Sequence, residues 1–526
     1  MTSGITVAAL AVALASCSST AAQSESTEYL VFYADGAQDA ATAAIRRAGA
    51  TPVSTDTKLG YVIAKGGDEL ADTLDADPSI AGVTTDREIG RKAGFAAFPD
   101  ARALESGGGG EPLARRQWDM RMIGADQAAK TAPGTKEVLV GILDTGVDGK
   151  HPDIAPNFNA ELSRNFVTDR PTDASGETLD GPCEHEGCKD PVDEDDDGHG
   201  THVASTIGSP VNGLGVAGVA PGVQLVSLRT GQDSGYFFLK PSLDALTYAA
   251  DIGVDVVNMS YYIDPWLFNC AHNKSDSKKQ RQEQRAIVTG MQRAIDYARK
   301  RGVTIVSALG NGSTDLGKPK IDSSSPNLPK GKERTRHIDN SCLNVPAESD
   351  GVISVSAVGP SGRKAVYSDY GTEQTDLAAP GGDALDGKGE SATRSILAAA
   401  PEAALRREGK IDKNGKPTTS EVVRQGGAYY QYLDGTSMAS PHVAGVAAIL
   451  VSRFGKPGKG GLQLDPATVE RLLYATATKT ACPAPRRYVY NVYGDKQTHL
   501  CEGGKSDNGF YGHGIVNALK AATVKP

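Results

Sequence analysis

No apolar run in these 526 residues approaches the ~20 that a helix needs to cross a bilayer, so no segment reads as a membrane-spanning helix. Positive charge is also scarce. The 55 Lys and Arg face 64 Asp and Glu, a net charge of −9 that leaves no basic field to displace counterions from a nucleic acid. There is no Cys-x-x-Cys pair, which weakens any metal-cluster reading. Aromatic residues make up 6% and internal repeats and heptads are absent, whereas 61 glycines suit tight turns and a small-residue α/β core. Mean hydropathy of −0.33 fits a globular chain, and the length allows about two to four domains.

Near the start, Ile5 to Ala15 reads as the apolar part of a secretory signal, although no Lys or Arg precedes it. Leu14-Ala15-Ser16-Cys17 resembles a bacterial lipoprotein box, whose cysteine is acylated after cleavage. The alternative is a plain signal cut after Ala15 or a few residues later. Both readings place the protein outside the cytoplasm, secreted or in the bacterial cell envelope, with a lipid on Cys17 as its one route to a membrane. Six further cysteines, an even set, then imply disulfides. They allow fifteen connectivities. Proximity favours Cys183–Cys188 and Cys482–Cys501, and elimination leaves Cys270–Cys342.

Residues 28–90 have the order strand (Tyr29–Tyr33), helix (Gln38–Ala48), strand (Tyr61–Ala64), helix (Asp68–Ala76) and strand (Ile80–Thr84), with room for one more strand. This suggests a small open-faced α/β sandwich. An Ala- and Gly-rich stretch containing Ser106 to Gly110 follows, flexible and open to cleavage. From about residue 112, strands expected at 137–143, 223–229, 254–259, 303–308 and 352–358 alternate with helices at 199–207, 241–252, 281–301, 437–453 and 466–476. The alternation predicts an α/β fold, a mostly parallel sheet with helices on both faces. Reactive groups then gather at the C-terminal strand ends, where Asp144 and Asn311 fall.

Three segments carry chemistry. Val138 to Asp148 is a buried-strand pattern ending in Asp144-Thr145-Gly146; Asp197 to Ala204 sets His199 in a glycine turn; Gly435 to Gly445 sets Ser437 at the start of a small-residue helix. A serine hydroxyl is a poor nucleophile until it is exposed, placed beside a base and given donors for the developing oxyanion. Taken alone, a Gly-x-Ser before a helix is an ordinary N-cap. In the order Asp, His, Ser, the three segments resemble the subtilisin-like serine peptidases. Val254 to Ser260 resembles that family's substrate strand, Val303 to Asn311 its oxyanion strand, and Asp376 to Gly381 another of its landmarks. The likeness covers roughly residues 115–523.

The resemblance implies a triad of Asp144, His199 and Ser437, with Asn311 donating to the oxyanion and Ser260, Tyr261, Ala308 and Gly310 bordering the substrate. His202 and His442 read as structural. It also implies four regions: a signal over 1–22, a small α+β propeptide-like inhibitory domain over 23–92, a processing linker over 93–114 and the peptidase over 115–526. No cofactor is needed for the chemistry. A structural Ca²⁺ is implied at Asp153, Asn212, Leu214 and Val216, hard oxygen ligands with Gln117 an option for a further one. Asp193 to Gly198 opens like an EF-hand loop but has Ala204 where the bidentate acid belongs, so it reads as a solvated acidic loop; a loop that favours basic substrates, or an adventitious Ca²⁺ site, stands as the alternative. After Ser260 the family's leucine-glycine-glycine gives way to Tyr261-Tyr262 and then Ile263-Asp264-Pro265-Trp266, and insertions at 264–285, 312–345 and 383–430 should decorate the cleft.

The expected partners are protein or peptide substrates and the chain's own N-terminal unit, with a monomer as the assembly. A narrow-specificity processing protease and a catalytically silent binding protein are the competing readings. A lipase is disfavoured because neither the Gly-x-Ser-x-Gly elbow nor the order Ser, Asp, His is present.

Overall fold

A computed structural model describes residues 27–85, 111–172, 178–327, 334–387 and 391–525. The signal segment, Cys17 and most of the 93–114 stretch lie outside the described residues. The N-terminal unit is a four-stranded antiparallel sheet, β1 (Thr27–Tyr33), β2 (Thr51–Asp56), β3 (Tyr61–Gly66) and β4 (Ile80–Thr85), in the order β2-β3-β1-β4. Helices α1 (Gln38–Arg47) and α2 (Leu70–Leu74) complete it. Alternation along β1 serves both faces of the sheet. Tyr29, Val31 and Tyr33 pack with Ala41, Ile45 and Leu74, while Leu30 and Phe32 join a core with Ala286, Ile287 and Met291.

In the larger unit, β5 (Leu139–Asp144), β6 (Arg164–Asn165), β7 (Gln224–Arg229), β8 (Val256–Met259), β9 (Thr304–Ala308), β10 (Val352–Val358) and β11 (Leu377–Pro380) form one sheet. All its pairings are parallel and its order is β11-β10-β9-β8-β5-β7-β6. The chain thus leaves β5 toward one edge through β6 and β7, then returns to build the other side. Open parallel sheets bind ligands at such a reversal, outside the C-terminal strand ends. Asp144 ends β5 and Ser260 follows β8 at that point. The principal helices are α3 (His199–Gly208), α4 (Leu239–Ile252), α5 (Lys278–Arg299), α6 (Thr436–Phe454) and α7 (Pro466–Thr476). α3 is buried along its whole length and α6 from Thr436 to Val451, so neither has a polar face to expose. α5 is amphipathic, opened by a capping box between Ser277 and Gln280, and carries the N-terminal sheet. Its Arg293 donates to the carbonyls of Tyr33 (2.8 Å), Gly60 (2.9 Å) and Leu59 (3.2 Å).

The insertions are folded. The 383–430 region supplies most of a second sheet, β12 (Ile396–Ala399), β13 (Val422–Gln425) and β14 (Ala428–Leu433), in the order β12-β14-β13. The 264–285 and 312–345 insertions are joined by the Cys270–Cys342 bond and by paired backbone bonds between Asn269 and Leu343. Cys183–Cys188 and Cys482–Cys501 are the other two bonds. Arg336, fully buried, ties the same two insertions together. It donates to Asp276 (2.9 Å), Asp322 (2.5 Å), the Phe268 carbonyl (2.6 Å) and Gln284 (3.1 Å), and lies 4.7 Å over the Trp266 ring. Removing one partner of a buried ion pair strands the other charge. Arg336→Ala should therefore lower the unfolding free energy by about 3–5 kcal/mol. Arg47→Ala, which breaks the exposed pair with Asp77, should cost under ~1 kcal/mol. Denaturant titration of both variants checks this, and equal midpoints would contradict the role given to Arg336.

Candidate active site

Asp144 is fully buried at the end of β5, and its Oδ1 accepts a hydrogen bond from Nδ1 of His199 at 2.7 Å. His199 is the first residue of α3, behind a glycine turn, and the small residue after it is what permits the approach. A Cβ on Gly200 would lie 2.1 Å from the Gly146 carbonyl oxygen and 3.0 Å from the Asp144 Cβ. A second acid fixes the same turn. Asp195 accepts from Thr145 Oγ1 (2.9 Å) and Gly198 N (2.8 Å) on one oxygen, and from Thr201 N (2.8 Å) and Thr201 Oγ1 (2.6 Å) on the other. The sequence places Asp195 in a solvated acidic loop; it is 4% exposed, because the loop folds back over the β5 and α3 termini. Burial disfavours the imidazolium of His199, but the charges of Asp144, Asp197 and Asp195 outweigh it, so the pKa of His199 is raised.

Ser437 lies in the first turn of α6, whose leading N–H groups have no intrahelical acceptor. Pro441, in the second turn, has no N–H to give the Ser437 carbonyl, and Ser260 Oγ supplies that bond instead at 3.1 Å. Ser260 Oγ also meets Ser440 Oγ at 2.9 Å, and the Ser437 hydroxyl donates to the Ser260 carbonyl at 3.1 Å. Ser437 is consequently 6% exposed, less open than its motif alone suggests. Asn311 follows β9. Its Oδ1 accepts from both N and Oγ1 of Thr436 at 2.9 Å, which turns its Nδ2 the other way. A Cβ on Gly435 would stand 3.6 Å from Asn311 Nδ2 and 3.6 Å from Ser437 N. The Met438 sulfur is equally near that point, so the two N–H donors lie on the same side of Gly435 with Met438 beside them.

The remaining expected residues divide. Ala308 is buried at the end of β9, and Gly310 donates its N–H to Thr436 Oγ1 at 3.1 Å. Tyr261 is buried and stacks on Phe237, with ring centroids 4.1 Å apart, so it serves packing. Tyr262 instead meets Asn327 of the 312–345 insertion at 3.4 Å. His202 gives Nε2 to the carbonyls of Ile396 (2.9 Å) and Gln431 (3.1 Å), and burial pushes its pKa down to about 3. His442 joins Asp119 at 3.1 Å and the Met438 carbonyl at 2.8 Å. Both are tied away from Ser437.

A subtilase family model matches residues 135–514. The chain belongs to the subtilase family. Its relatives include the epidermin leader peptide-processing serine protease EpiP of Staphylococcus epidermidis, 28% identical over 66% of this chain and 67% of that protein. An extracellular protease of Xanthomonas campestris pv. campestris is 31% identical over 75% of this chain. The chain spans 52% of that relative's length. The crystal structure of EpiP from Staphylococcus aureus superposes with a TM-score of 0.63 at 23% identity, covering 95% of this chain and 99% of that one. Subtilisin-like serine proteases are hydrolases, and among the described residues of this subtilase no helix is long and apolar enough to cross a membrane.

The loop expected to hold calcium differs from that expectation in one neighbouring residue. Gln117 does not reach it; its amide pairs both ways with the Ala217 backbone, at 2.8 and 3.1 Å. Glu111 does, its Oε1 accepting from the N–H groups of Asn212 and Gly213 at 2.8 Å each. Asp153 Oδ2 accepts from Val216 N (3.0 Å) and the Tyr430 hydroxyl (2.8 Å). Asp153 Oδ1 and Glu111 Oε2 are buried without a hydrogen-bond partner. Burial, opposed by those hydrogen bonds, pushes Asp153 up to about 6, and the Glu111 charge adds to the rise. Two partly unsatisfied buried carboxylates beside an Asn-containing loop fit a hard cation. Leu113 N donates to the Gly215 carbonyl at 2.8 Å, which ties the segment from 111 to the larger unit rather than to a linker ending at 114.

The base at this site must be neutral to act, so its pKa sets the acid limb of the rate profile. Asp197 Oδ1 accepts from His199 N at 3.3 Å and is one of the charges that raise His199. Asp197→Asn should move the acid limb of kcat/KM to lower pH, because removing a negative neighbour favours the neutral ring. A limb that stays in place or moves upward in pH-rate measurements would refute the coupling.

Proposed function

We propose that this subtilase is an exported serine endopeptidase that acts through Asp144, His199 and Ser437. The observation that carries the reading is the 2.7 Å Asp144–His199 bond, together with the Asn311 amide held at the start of the Ser437 helix by Thr436. Ser437 Oγ attacks the peptide carbonyl carbon as its proton passes to Nε2 of His199, whose Nδ1–H stays on Asp144. The oxyanion is held by Ser437 N–H and Asn311 Nδ2–H. Collapse expels the amine, which takes the proton from His199, and water releases the acyl group by the same path. In the resting geometry the serine proton points at the Ser260 carbonyl, so the hydroxyl rotates toward His199 as substrate enters.

The 27–85 unit we assign as the inhibitory propeptide. Its support is the core that it shares with α5 and the Arg293 bonds, which hold it on the peptidase before cleavage within 86–110. The narrow-specificity reading is favoured by Tyr262 and its contact with the inserted Asn327, where the family resemblance leads one to expect glycine. The relative EpiP, a leader peptide-processing protease by name, is consistent with it.

Ser437→Ala should fold and lose kcat by about 10⁶, the magnitude known for the equivalent serine of subtilisin. It should also retain its N-terminal unit, seen as an uncleaved mass. Near-normal peptide hydrolysis by this variant would overturn the function. Normal mature ends with no hydrolysis would assign processing to another enzyme.

We further propose that Glu111, Asp153, Asn212 and the loop carbonyls at Leu214 and Val216 hold Ca²⁺, which supplies structural support and no chemistry. A ligand bound to the folded state alone at a hundredfold excess over Kd adds ~2.7 kcal/mol. Calcium should raise the thermal midpoint relative to chelator, and Glu111→Ala should remove most of the gain. Equal midpoints of the unmutated protein in the two conditions would refute the site.

A further inference from the structure

We propose that Asp369 is a positioning residue for the oxyanion donor, its buried carboxylate filling the inside of the turn Gly310–Thr314 and so fixing Asn311. The proposal rests on the role given above to Asn311. That turn has an awkward task. It must leave the end of β9, present an exposed side chain toward Gly435, and reverse without regular structure. Gly310 has φ +127°, and Ser313 sits in the left-handed region at φ 58°, a conformation that is unfavourable for a non-glycine residue.

The segment 366–370 overcomes that cost. Ser313 N donates to the Tyr367 carbonyl at 2.7 Å and Ser313 Oγ to the Val366 carbonyl at 3.0 Å. Tyr370 N donates to the Thr314 carbonyl at 2.9 Å and Asp369 N to the Gly310 carbonyl at 2.9 Å. Asp369, 1% exposed, enters the turn, with the Asn344 amide beside it 3.1 Å from where a Cβ on Gly310 would be. Its Oδ1 accepts from Thr314 N at 2.7 Å, and its Oδ2 lies 2.2 Å from where a Cβ on Gly310 would be. A Cβ on Gly312 would lie 3.1 Å from Oδ1. The carboxylate thus occupies the space that two glycines leave bare and satisfies the N–H of half-buried Thr314. Lys364, also fully buried, lies within its field: burial pushes the Lys364 pKa down to about 7, opposed by the Asp369 charge, and its Nζ donates to the carbonyls of Ala365 (2.8 Å) and Ser368 (2.5 Å). Asn311 is then fixed twice, at its amide by Thr436 and at its backbone by Asp369.

The test is a mutant cycle on the full-length enzyme with a chromogenic peptide and a peptide aldehyde, whose adduct carries an oxyanion. Asp369→Ala should lower kcat about tenfold to a hundredfold with KM nearly unchanged, within the roughly 10²–10³ that an oxyanion donor is worth. Aldehyde affinity should fall with kcat. Asp369→Asn, which keeps an acceptor for Thr314 N, should recover most of the rate. In the Asn311→Ala background, Asp369→Ala should add nothing. Losses that multiply would overturn the proposal while leaving Asn311 in its role. Unchanged kcat in Asn311→Ala alone would instead remove the oxyanion reading on which the proposal stands. If Asp369→Ala fails to fold, Asp369→Ser carries the same cycle.

Discussion

The first turn of α6 is pinned by the ends of several parallel strands, and the geometry of the site follows from that pinning. Gly435 N donates to the Gly381 carbonyl beyond β11, Thr436 is held by Asn311 beyond β9, and Ser437 is held through its carbonyl by Ser260 beyond β8. None of these bonds is a helix bond. They take up groups that a helix N-terminus leaves over, and Pro441 leaves over one more. A helix whose start is held on this many sides cannot shift without breaking several bonds at once. Its leading N–H groups are therefore held in fixed directions, and donors fixed in advance need no reorganisation when a charge develops beside them.

Holding the histidine requires buried charge as well as hydrogen bonds. Asp144 and Asp195 are both buried beside His199, and each is repaid by local donors: Thr145 N and His199 for Asp144, and the Thr145 and Thr201 side chains with two backbone N–H groups for Asp195. Burial still raises the pKa of Asp195, against the hydrogen bonds from Thr201 and Gly198. The charges of Asp144, Asp197 and Asp195 favour the imidazolium of His199, which opposes the penalty of burying the ring.

Much of this fold was legible because its strands are buried on both faces and read as short apolar runs, as at Leu139–Asp144 and Val352–Val358. The expected strands and helices of the larger unit fall within a few residues of those observed, and the reactive segments gather at one sheet edge as parallel topology demands. What escaped was non-local. Thr51–Asp56 is mostly exposed, so it carries no alternation to betray a strand. Asp195 looks solvated within Asp193 to Asp197 because only the folded chain brings Thr145 and Thr201 to it. Glu111 sits beyond a glycine-rich stretch and shows nothing of the loop that it caps a hundred residues on. Gln117 has the right chemistry for that loop, but the structure spends both ends of its amide on Ala217.

The insertions show a further division of labour. The 383–430 insertion adds Ile396, Leu397 and Tyr430 to the main core, whereas the 264–285 and 312–345 insertions are organised around a buried guanidinium beside a small apolar cluster of their own. Arg336 gathers Asp276, Asp322 and Gln284; Arg229, at the end of β7, gathers Asp169, Asp190 and Asp233. Around Arg229 three acids share one cation. Burial, opposed by the Arg229 charge, pushes Asp169 up to about 7 and Asp233 up to about 8, and the crowding of the acids adds to both. Buried ion pairs add little net stability over apolar packing, but they penalise every arrangement that leaves a charge alone. For irregular loops that penalty is the useful property. It selects one loop geometry without demanding a continuous apolar surface.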